Sequence, residues 1–591
     1  MSDYNAPLAD IRFALSKIAG LDNVLALDGF EDLSPDLIDA VLDEAGKFAG
    51  GVLAPLSRIG DTEGARLENG VVRMPVGFPE AYKAYVEGGW NGPVFAPERG
   101  GQGLPWLVGT ALNEIWGSAN LGFSLGPLLT QGAVELLDAH GSPEQKDTYL
   151  ENMITGTWTG TMNLTEPQAG SDVGALRTKA VKEGDHYRIS GQKIFISYGD
   201  HEMAENIVHL VLARTEGAPE GIKGISLFIV PKFLVNDDGS LGQRNDLRPG
   251  SLEHKLGIHA SPTAVMLYGE NEGAVGYLIG EECRGIEYMF TMMNNARLGV
   301  GLQGLSVAER AYQQAVAFAK DRVQMRDAVA GGRDPVTIIH HPDVRRMLLR
   351  MRAQVEAMRC LAYTAAAGLD LAKRLPDPEA RKLAQRRVDL LIPIVKAWST
   401  DVGLEVASTN VQVHGGMGFI EETGAAQHYR DIRISAIYEG TNGIQSIDLV
   451  GRKLARDGGE AMASLAAEIA AAVAELRTHD DADLAAIADP LAEGLGALER
   501  TTQWMVEHIG QHPGEALAGA TSYMRLAGYV TGGWLMAKSA LATVGDASDQ
   551  AVQKRKTARF FAEQLIPEGT AMERPITTGG ALVAALGAEA F

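Results

Sequence analysis

Ile207-Val208-His209-Leu210-Val211-Leu212-Ala213 is a short, almost continuous apolar run rich in β-branched and aliphatic residues. It is too short for a typical helix and reads as a buried strand. Runs of the same texture occupy residues 225–230 and 264–268. Segments 215–224 and 236–250 separate them and carry the Gly, Pro, Asn and Asp of strand connections. These features predict a compact β-domain over about 160–270, set between helical regions.

Upstream, Ser34-Pro35 has the form of a helix cap followed by a first-turn proline. Leu37, Ile38, Val41, Leu42, Ala45, Phe48 and Ala49 then form one apolar stripe. Helices are expected to about residue 155, interrupted by the glycine-rich and proline-rich segments 88–93 and 99–105. Downstream, the helical pattern returns after Gly285, and segments 345–368 and 386–410 are long enough to pair as antiparallel bundle helices. Beyond about residue 456 the chain is alanine-rich and helical. The expected class is therefore α+β, mainly α. Its expected divisions are an N-terminal extension and helical domain at 1–158, a middle β-barrel domain at 159–280, a helical-bundle domain at 281–456 and an additional C-terminal helical domain at 457–591.

At 591 residues the chain needs several cores. With 46% hydrophobic and 22% charged residues it is expected to be a globular protein with no membrane span. The opening Met-Ser-Asp-Tyr-Asn-Ala-Pro-Leu lacks the basic start and apolar core of a secretory signal. Cys283 and Cys360 are the two cysteines and lack metal-ligand spacing, so neither a disulfide framework nor a metal site is expected, and a cytoplasmic location is. The net charge of −22 opposes generic nucleic-acid binding. Residues 457–591 carry 9 Lys and Arg against 18 Asp and Glu. The short run Lys554-Arg555-Lys556 reads as a solvated helix face.

Three segments carry candidate chemistry. In Arg430 to Gly443, Glu439 stands where an apolar run meets a glycine turn. A carboxylate among Ile434, Ala436, Ile437 and Tyr438 would lose hydration and become a stronger base. The competing account is a helix start capped by Thr441 or Asn442, with Glu439 in solvent. Leu164 to Asp172 combines hydroxyls, a proline-fixed turn and a glycine, which suits a phosphate-bearing cofactor, although it matches neither GxGxxG nor the P-loop pattern. In Gly191 to Gly199, Phe195 and Ser197 alternate toward one face, where an aromatic ring can cover a planar group and a hydroxyl can meet its edge. Core packing is the plainer account of Phe195.

Taken together, Thr165-Glu166-Pro167-Gln168-Ala169-Gly170-Ser171-Asp172, Gly191-Gln192-Lys193, Asp321-Arg322, Gln412-Val413-His414-Gly415-Gly416-Met417-Gly418 and Tyr438-Glu439-Gly440-Thr441 resemble the acyl-CoA dehydrogenase flavoprotein family, in family order from about residue 80 to 455. The extension at 4–13 and the C-terminal region resemble a long bacterial subgroup whose substrates include 3-methylmercaptopropionyl-CoA. The resemblance implies FAD between a middle barrel and a four-helix bundle, and α,β-dehydrogenation of an acyl-CoA thioester to a trans-2-enoyl-CoA. The substrate would be 3-methylmercaptopropionyl-CoA or a fatty acyl-CoA. It implies Glu439 as the α-proton base, with hydride passing to flavin N5.

The resemblance also implies that Leu164, Thr165, Gly170 and Ser171 line the cofactor, that Phe195, Ile196 and Ser197 flank its ring, and that Thr441 touches it. Arg322, Gln412, Gly415 and Gly416 would hold the adenosine and pyrophosphate of a neighbouring subunit's FAD, hence a homodimer or higher homo-oligomer. Ser171, Asn294, Arg297 and Gly440 would meet the substrate, and an electron-transfer flavoprotein would take the electrons. Ala296 stands where some branches carry the base.

Two departures bear on the flavin site. A longer loop at 331–335 is expected to reshape the adenosine end. Gly443 replaces a frequent glutamine, a contact that Gln445 could supply. The rival expectations are an acyl-CoA oxidase and a DNA-associated flavoprotein like the family's adaptive-response relatives.

Overall fold

The computed structural model describes residues 4–591, the side chains of Asn294 and Ala584 excepted, and the chain divides into two compact units. One comprises Lys47–Leu104 and Ala119–Ala296; the other comprises Met1–Gly46, Pro105–Ser118 and Arg297–Phe591.

The first of these units is built on an eight-stranded sheet. Leu247–Leu252, Thr263–Tyr268, His186–Ser197, Ala274–Leu278, Ser226–Pro231, Asn206–Thr215 and Trp158–Asn163 follow one another in space. Lys179–Glu183 pairs with both His186–Ser197 and Asn206–Thr215, which curls the sheet toward a barrel. The apolar run at 207–213 lacks a polar alternation because both faces of its strand are covered. Val208, Leu210 and Leu212 join a core with Leu137, Leu150 and Met153 of the helices Leu121–His140 and Pro143–Thr155, whereas Val211 and Ala213 join Phe228, Val230 and Met266 in the other core. Pro143–Thr155 starts with Ser142 and Gln145 in a reciprocal cap.

One element departs from the helical reading of the first 155 residues. Arg66–Glu68 and Val71–Arg73 form a small antiparallel hairpin. Asn69 and Gly70 both have positive φ, of 51° and 79°, as the two-residue turn of a hairpin demands. The Asn-Gly pair was the available signal, masked by the helical patterning on either side.

The second unit is helical. Ser34 Oγ accepts from Leu37 N at 3.2 Å and starts Pro35–Phe48, as the sequence predicts. Pro342–Arg374 and Pro378–His414 pack along one another, matching the expected bundle pair. Gly304, on Gly285–Asp321, meets Pro378–His414 backbone to backbone: a Cβ there would lie 2.3 Å from Ser399 O. The C-terminal helices Ala482–Ile509, Pro513–Leu541 and Asp549–Gln564 pack on one another, and Gly528 lies flat against the Trp398 indole.

The basic run at 554–556 is a solvated face only at Lys556, which is exposed. Lys554 is buried and pairs with Asp10 at 2.7 Å and Glu356 at 3.0 Å, while Lys556 pairs with Asp483 at 2.9 Å. Its partners Asp10 and Asp483 lie 544 and 73 residues away in sequence, and Glu356 lies on another helix, which a local charge count cannot see. Among the described residues no helix is long and apolar enough to cross a membrane.

Candidate active site

Glu439 and Gly440 reverse the chain with φ values of 55° and 82°. A non-glycine residue in the left-handed region is strained by roughly 1–3 kcal/mol and persists only where neighbours hold it. The holding bonds are specific. Gln445 Nε2 donates to Glu439 O at 3.2 Å, and Lys396 Nζ donates to Gly440 O and to Asn442 Oδ1, both at 2.8 Å. Asn442 Nδ2 reaches Ala397 O at 3.1 Å, Thr400 Oγ1 at 2.9 Å and Asp401 Oδ1 at 2.7 Å, clamping the turn onto Pro378–His414. A Cβ at Gly440 would lie 2.8 Å from Gln445 Nε2, so glycine is needed there for space as well as for φ.

Thr441 does cap the helix Asn442–Asp448, accepting from Ile444 N at 3.2 Å. The plainer account of this segment therefore holds for Thr441 and fails for Glu439, which is not in open solvent. Burial raises the Glu439 carboxyl to about 7, and the charges of Arg297 and Lys396 keep it from rising further. Arg297 is buried, with Nη1 3.9 Å from Asp448 Oδ2. Lys396 is fully buried, and desolvation lowers it to about 8. Arg297 thus acts electrostatically on Glu439, a pairing the sequence reading did not assign, while Ala296 beside it is buried and without titratable atoms. Asn294 shares this helix, but its side chain lies outside the described set. Gln445 is buried behind the turn and spends its amide on Glu439 O, so it does not take the outward place that Gly443 leaves.

Arg322, Gln412, Gly415 and Gly416 are brought to one end of the helical unit. Phe318 and His414 stack with ring centroids 4.2 Å apart, and Asn410 Nδ2 donates to Gln314 Oε1 at 2.9 Å, so the ends of Gly285–Asp321 and Pro378–His414 coincide. All four residues are exposed. The expected long loop is the tip of a hairpin made by Val323–Arg326 and Pro335–Thr337.

In the sheet unit, Glu166 N donates to Ala169 O and Ala169 N to Glu166 O, at 3.1 and 2.9 Å, closing a tight loop with Pro167 and Gln168 at its tip. Gly170 and Ser171 follow, exposed. Ile194 N donates to Thr165 O at 2.9 Å, which ties this loop to the strand carrying Phe195, Ile196 and Ser197. Leu164 contributes its carbonyl to Lys193 Nζ at 3.0 Å, and Lys193 pairs with Glu166 at 2.8 Å, both side chains buried. Thr178 Oγ1 and Arg177 N also donate to Glu166, and with the Lys193 ammonium they hold its carboxyl at about 2 against the burial that would raise it.

Neither Glu166 nor Lys193 was singled out from sequence. The signal was one acid in the first motif and one base in the second. The strand itself carries a bulge: two steps on Thr263–Tyr268, from Ala264 to Met266, face three on this strand, from Ile196 to Lys193. Phe195 takes φ 59° and stands 58% exposed, Ser197 is half-buried, and Ile196 turns into the core. Ile196 therefore has only its backbone to offer a ligand. An aromatic ring held outward by a strained backbone, beside a hydroxyl, suits a planar polar group, and the exposed Arg322 suits a phosphate.

Four family models match the chain: "Acyl-CoA dehydrogenase, N-terminal domain" at residues 39–157, "Acyl-CoA dehydrogenase, middle domain" at 161–269, "Acyl-CoA dehydrogenase, C-terminal domain" at 283–455 and "Acetyl-CoA dehydrogenase C-terminal like" at 465–587. The chain is 50% identical to 3-methylmercaptopropionyl-CoA dehydrogenase of Ruegeria pomeroyi, over 98% of this chain and 99% of that one. It is 35% identical to a butyryl-CoA dehydrogenase of Syntrophomonas wolfei, over 96% and 95%. In fold it resembles an acyl-CoA dehydrogenase from Bacillus anthracis solved with FAD, at a TM-score of 0.74 and 20% identity, over 96% of this chain and 91% of that one.

Proposed function

The chain belongs to the acyl-CoA dehydrogenase family and is an FAD-dependent oxidoreductase acting on the CH–CH bond of an acyl-CoA, and from that premise we propose that Glu439 is the base that removes the α-proton. The observation that carries this reading is a single carboxylate raised to about 7 on a strained glycine turn, within the field of Arg297 and Lys396. A base of that strength is about half ionised at neutral pH, and its conjugate acid is weak enough for it to take the proton of a carbon acid. FAD supplies the two-electron acceptor for the β-hydrogen. Phe195, Ile196 and Ser197, with Leu164, Thr165, Gly170 and Ser171, orient it, and Thr441 keeps a hydroxyl proton free to donate while its oxygen caps a helix. Ser171, Asn294, Arg297 and Gly440 are assigned to the substrate.

The acyl group proposed is 3-methylmercaptopropionyl, on the 50% identity to an enzyme of that name, with butyryl as second candidate. Anaerobic titration with thioether, linear, branched and aromatic acyl-CoAs is expected to bleach the flavin most rapidly with the thioether. Equal bleaching by butyryl-CoA would move the substrate to the linear class, and no bleaching by any member would overturn the dehydrogenase reading. An electron-transfer flavoprotein is the proposed acceptor, so peroxide formation under air is expected to be slow beside reduction of an acceptor dye. A cytoplasmic setting fits Cys283 and Cys360, both free thiols.

We also assign Arg322, Gln412, Gly415 and Gly416 to a neighbouring subunit's cofactor within a homo-oligomer. Support comes from apolar side chains left in solvent on the segments that follow Arg322 and His414, with Phe419 at 85% and Met325 at 73% exposure. Phe419→Asp is expected to lower the mass seen by light scattering and to weaken FAD retention. Unchanged mass would refute the interface.

A further inference from the structure

We propose that Lys396 is a positioning residue for the α-proton step: its ammonium fixes the Glu439–Gly440 turn and, with no carboxylate bonded to it, lends positive charge to the Glu439 carboxylate. The inference rests on the reading of Glu439 as base. Lys396 interrupts the apolar stretch Leu390 to Trp398 in the middle of a bundle helix, where a lysine is expensive to bury without a counter-charge. Yet both of its hydrogen-bond acceptors are neutral: the Gly440 carbonyl and the Asn442 side-chain oxygen. Lys193 makes the contrast. It bonds the Glu166 carboxylate directly at 2.8 Å, and its charge is largely cancelled where it sits.

The groups facing the turn from each packed element leave the same balance. Arg297 comes from Gly285–Asp321 and has its own anion, Asp448, which also pairs with Arg452 at 3.1 Å. Asp401 lies on the same helix as Lys396, and its carboxylate takes the Asn442 amide, so Asn442 stands between it and the ammonium. Tyr438, next to Glu439, donates its hydroxyl to Gln303 Oε1 and remains neutral. The ammonium therefore lacks a bonded anion; Glu439 acts on it more strongly than Asp401 does, and it acts on Glu439 in return. One of its two bonds holds Gly440, the residue that follows the base, and the other holds Asn442, so one side chain bears on both the geometry of the strained turn and the acidity of the carboxyl.

The test is the pH profile of anaerobic flavin reduction by acyl-CoA in the FAD-loaded wild type, Lys396→Gln, Lys396→Met and Lys396→Arg. Losing the positive charge raises the carboxyl's affinity for its proton. The acid limb is therefore expected to move upward by about one pH unit in the Gln and Met variants, a roughly tenfold loss of rate at pH 6 that shrinks by pH 9. The Arg variant is expected to keep the wild-type limb. A rate that falls by one factor at every pH, or neutral variants that lose flavin while Arg retains it, assigns Lys396 a structural part alone and overturns the inference. Glu439→Gln run alongside separates the two readings. If it is inert and the limb is unmoved in the Lys396 variants, only this inference falls; if it bleaches normally, the base assignment falls first.

Discussion

Glu439→Gln is expected to retain FAD and to lose substrate-dependent bleaching by roughly 10²–10⁴-fold, the range that a positioned general base contributes. The amide keeps the shape of the carboxyl and can keep the turn, since the holding bonds run to the backbone of Glu439 and Gly440 and to Asn442. What it cannot do is accept a proton. Stopped-flow absorbance under anaerobic conditions reads the loss directly, and normal bleaching would remove Glu439 from the chemistry.

The same substitution carries a second, opposite effect on stability. Burial raises the folded-state pKa of Glu439 above its ordinary value of 4.5, to about 7. Such a group contributes stability below the ordinary value and loses it as pH rises through the folded one. The free enzyme therefore carries a destabilising base at pH 8, and Glu439→Gln is expected to be more stable there by about 1–3 kcal/mol, with the difference vanishing near pH 4. Chemical denaturation of the two proteins at pH 4.5 and pH 8 checks the sign. A carboxylate in solvent would show no such dependence.

The parts of this molecule that were legible in the sequence are those whose cause is local. Ser34 before Pro35 caps a helix, and the run at 207–213 is a strand, because short-range sterics and burial on two faces select those residues. The shared outward face of Phe195 and Ser197 was anticipated from simple alternation, but it is produced with a bulge that turns both Ile194 and Phe195 away from the core before Ile196 returns to it. Lys396, a lysine within an apolar stretch, and Glu166 and Lys193, an acid and a base in two motifs, carry no local mark of their partners. Each matters through a partner far along the chain: Gly440 and Asn442 for the first, and one another for the pair. The strength of Glu439 as a base belongs to the same class, since the charges of Arg297 and Lys396 that act on it come from helices that the turn itself does not encode.

Arg359→Met is expected to be the most damaging single change away from the site. Arg359 is buried, and its guanidinium bridges two buried carboxylates: Nε and Nη2 reach Glu114 Oε1 at 2.9 and 2.7 Å, and Nη2 reaches Glu309 Oε2 at 2.7 Å. Tyr363 donates to the other Glu114 oxygen at 2.6 Å. Gln313 donates to Glu309 at 2.8 Å and, also at 2.8 Å, to Asn5 O, so the N-terminal extension is tied into the same cluster. Methionine fills much of the arginine's volume but leaves two like charges buried face to face. Removing one partner from such a group costs about 3–5 kcal/mol. The cost is expected to depend on pH in a way that a packing defect would not. Burial already raises Glu114 above its ordinary value of 4.5, and loss of the guanidinium raises it further. The stability such a carboxyl contributes is present below 4.5 and is lost as pH rises through its folded value. Arg359→Met should therefore approach the wild type near pH 5 and fall away from it toward pH 8 in denaturant titrations. A deficit constant across that range would assign the loss to packing rather than to charge.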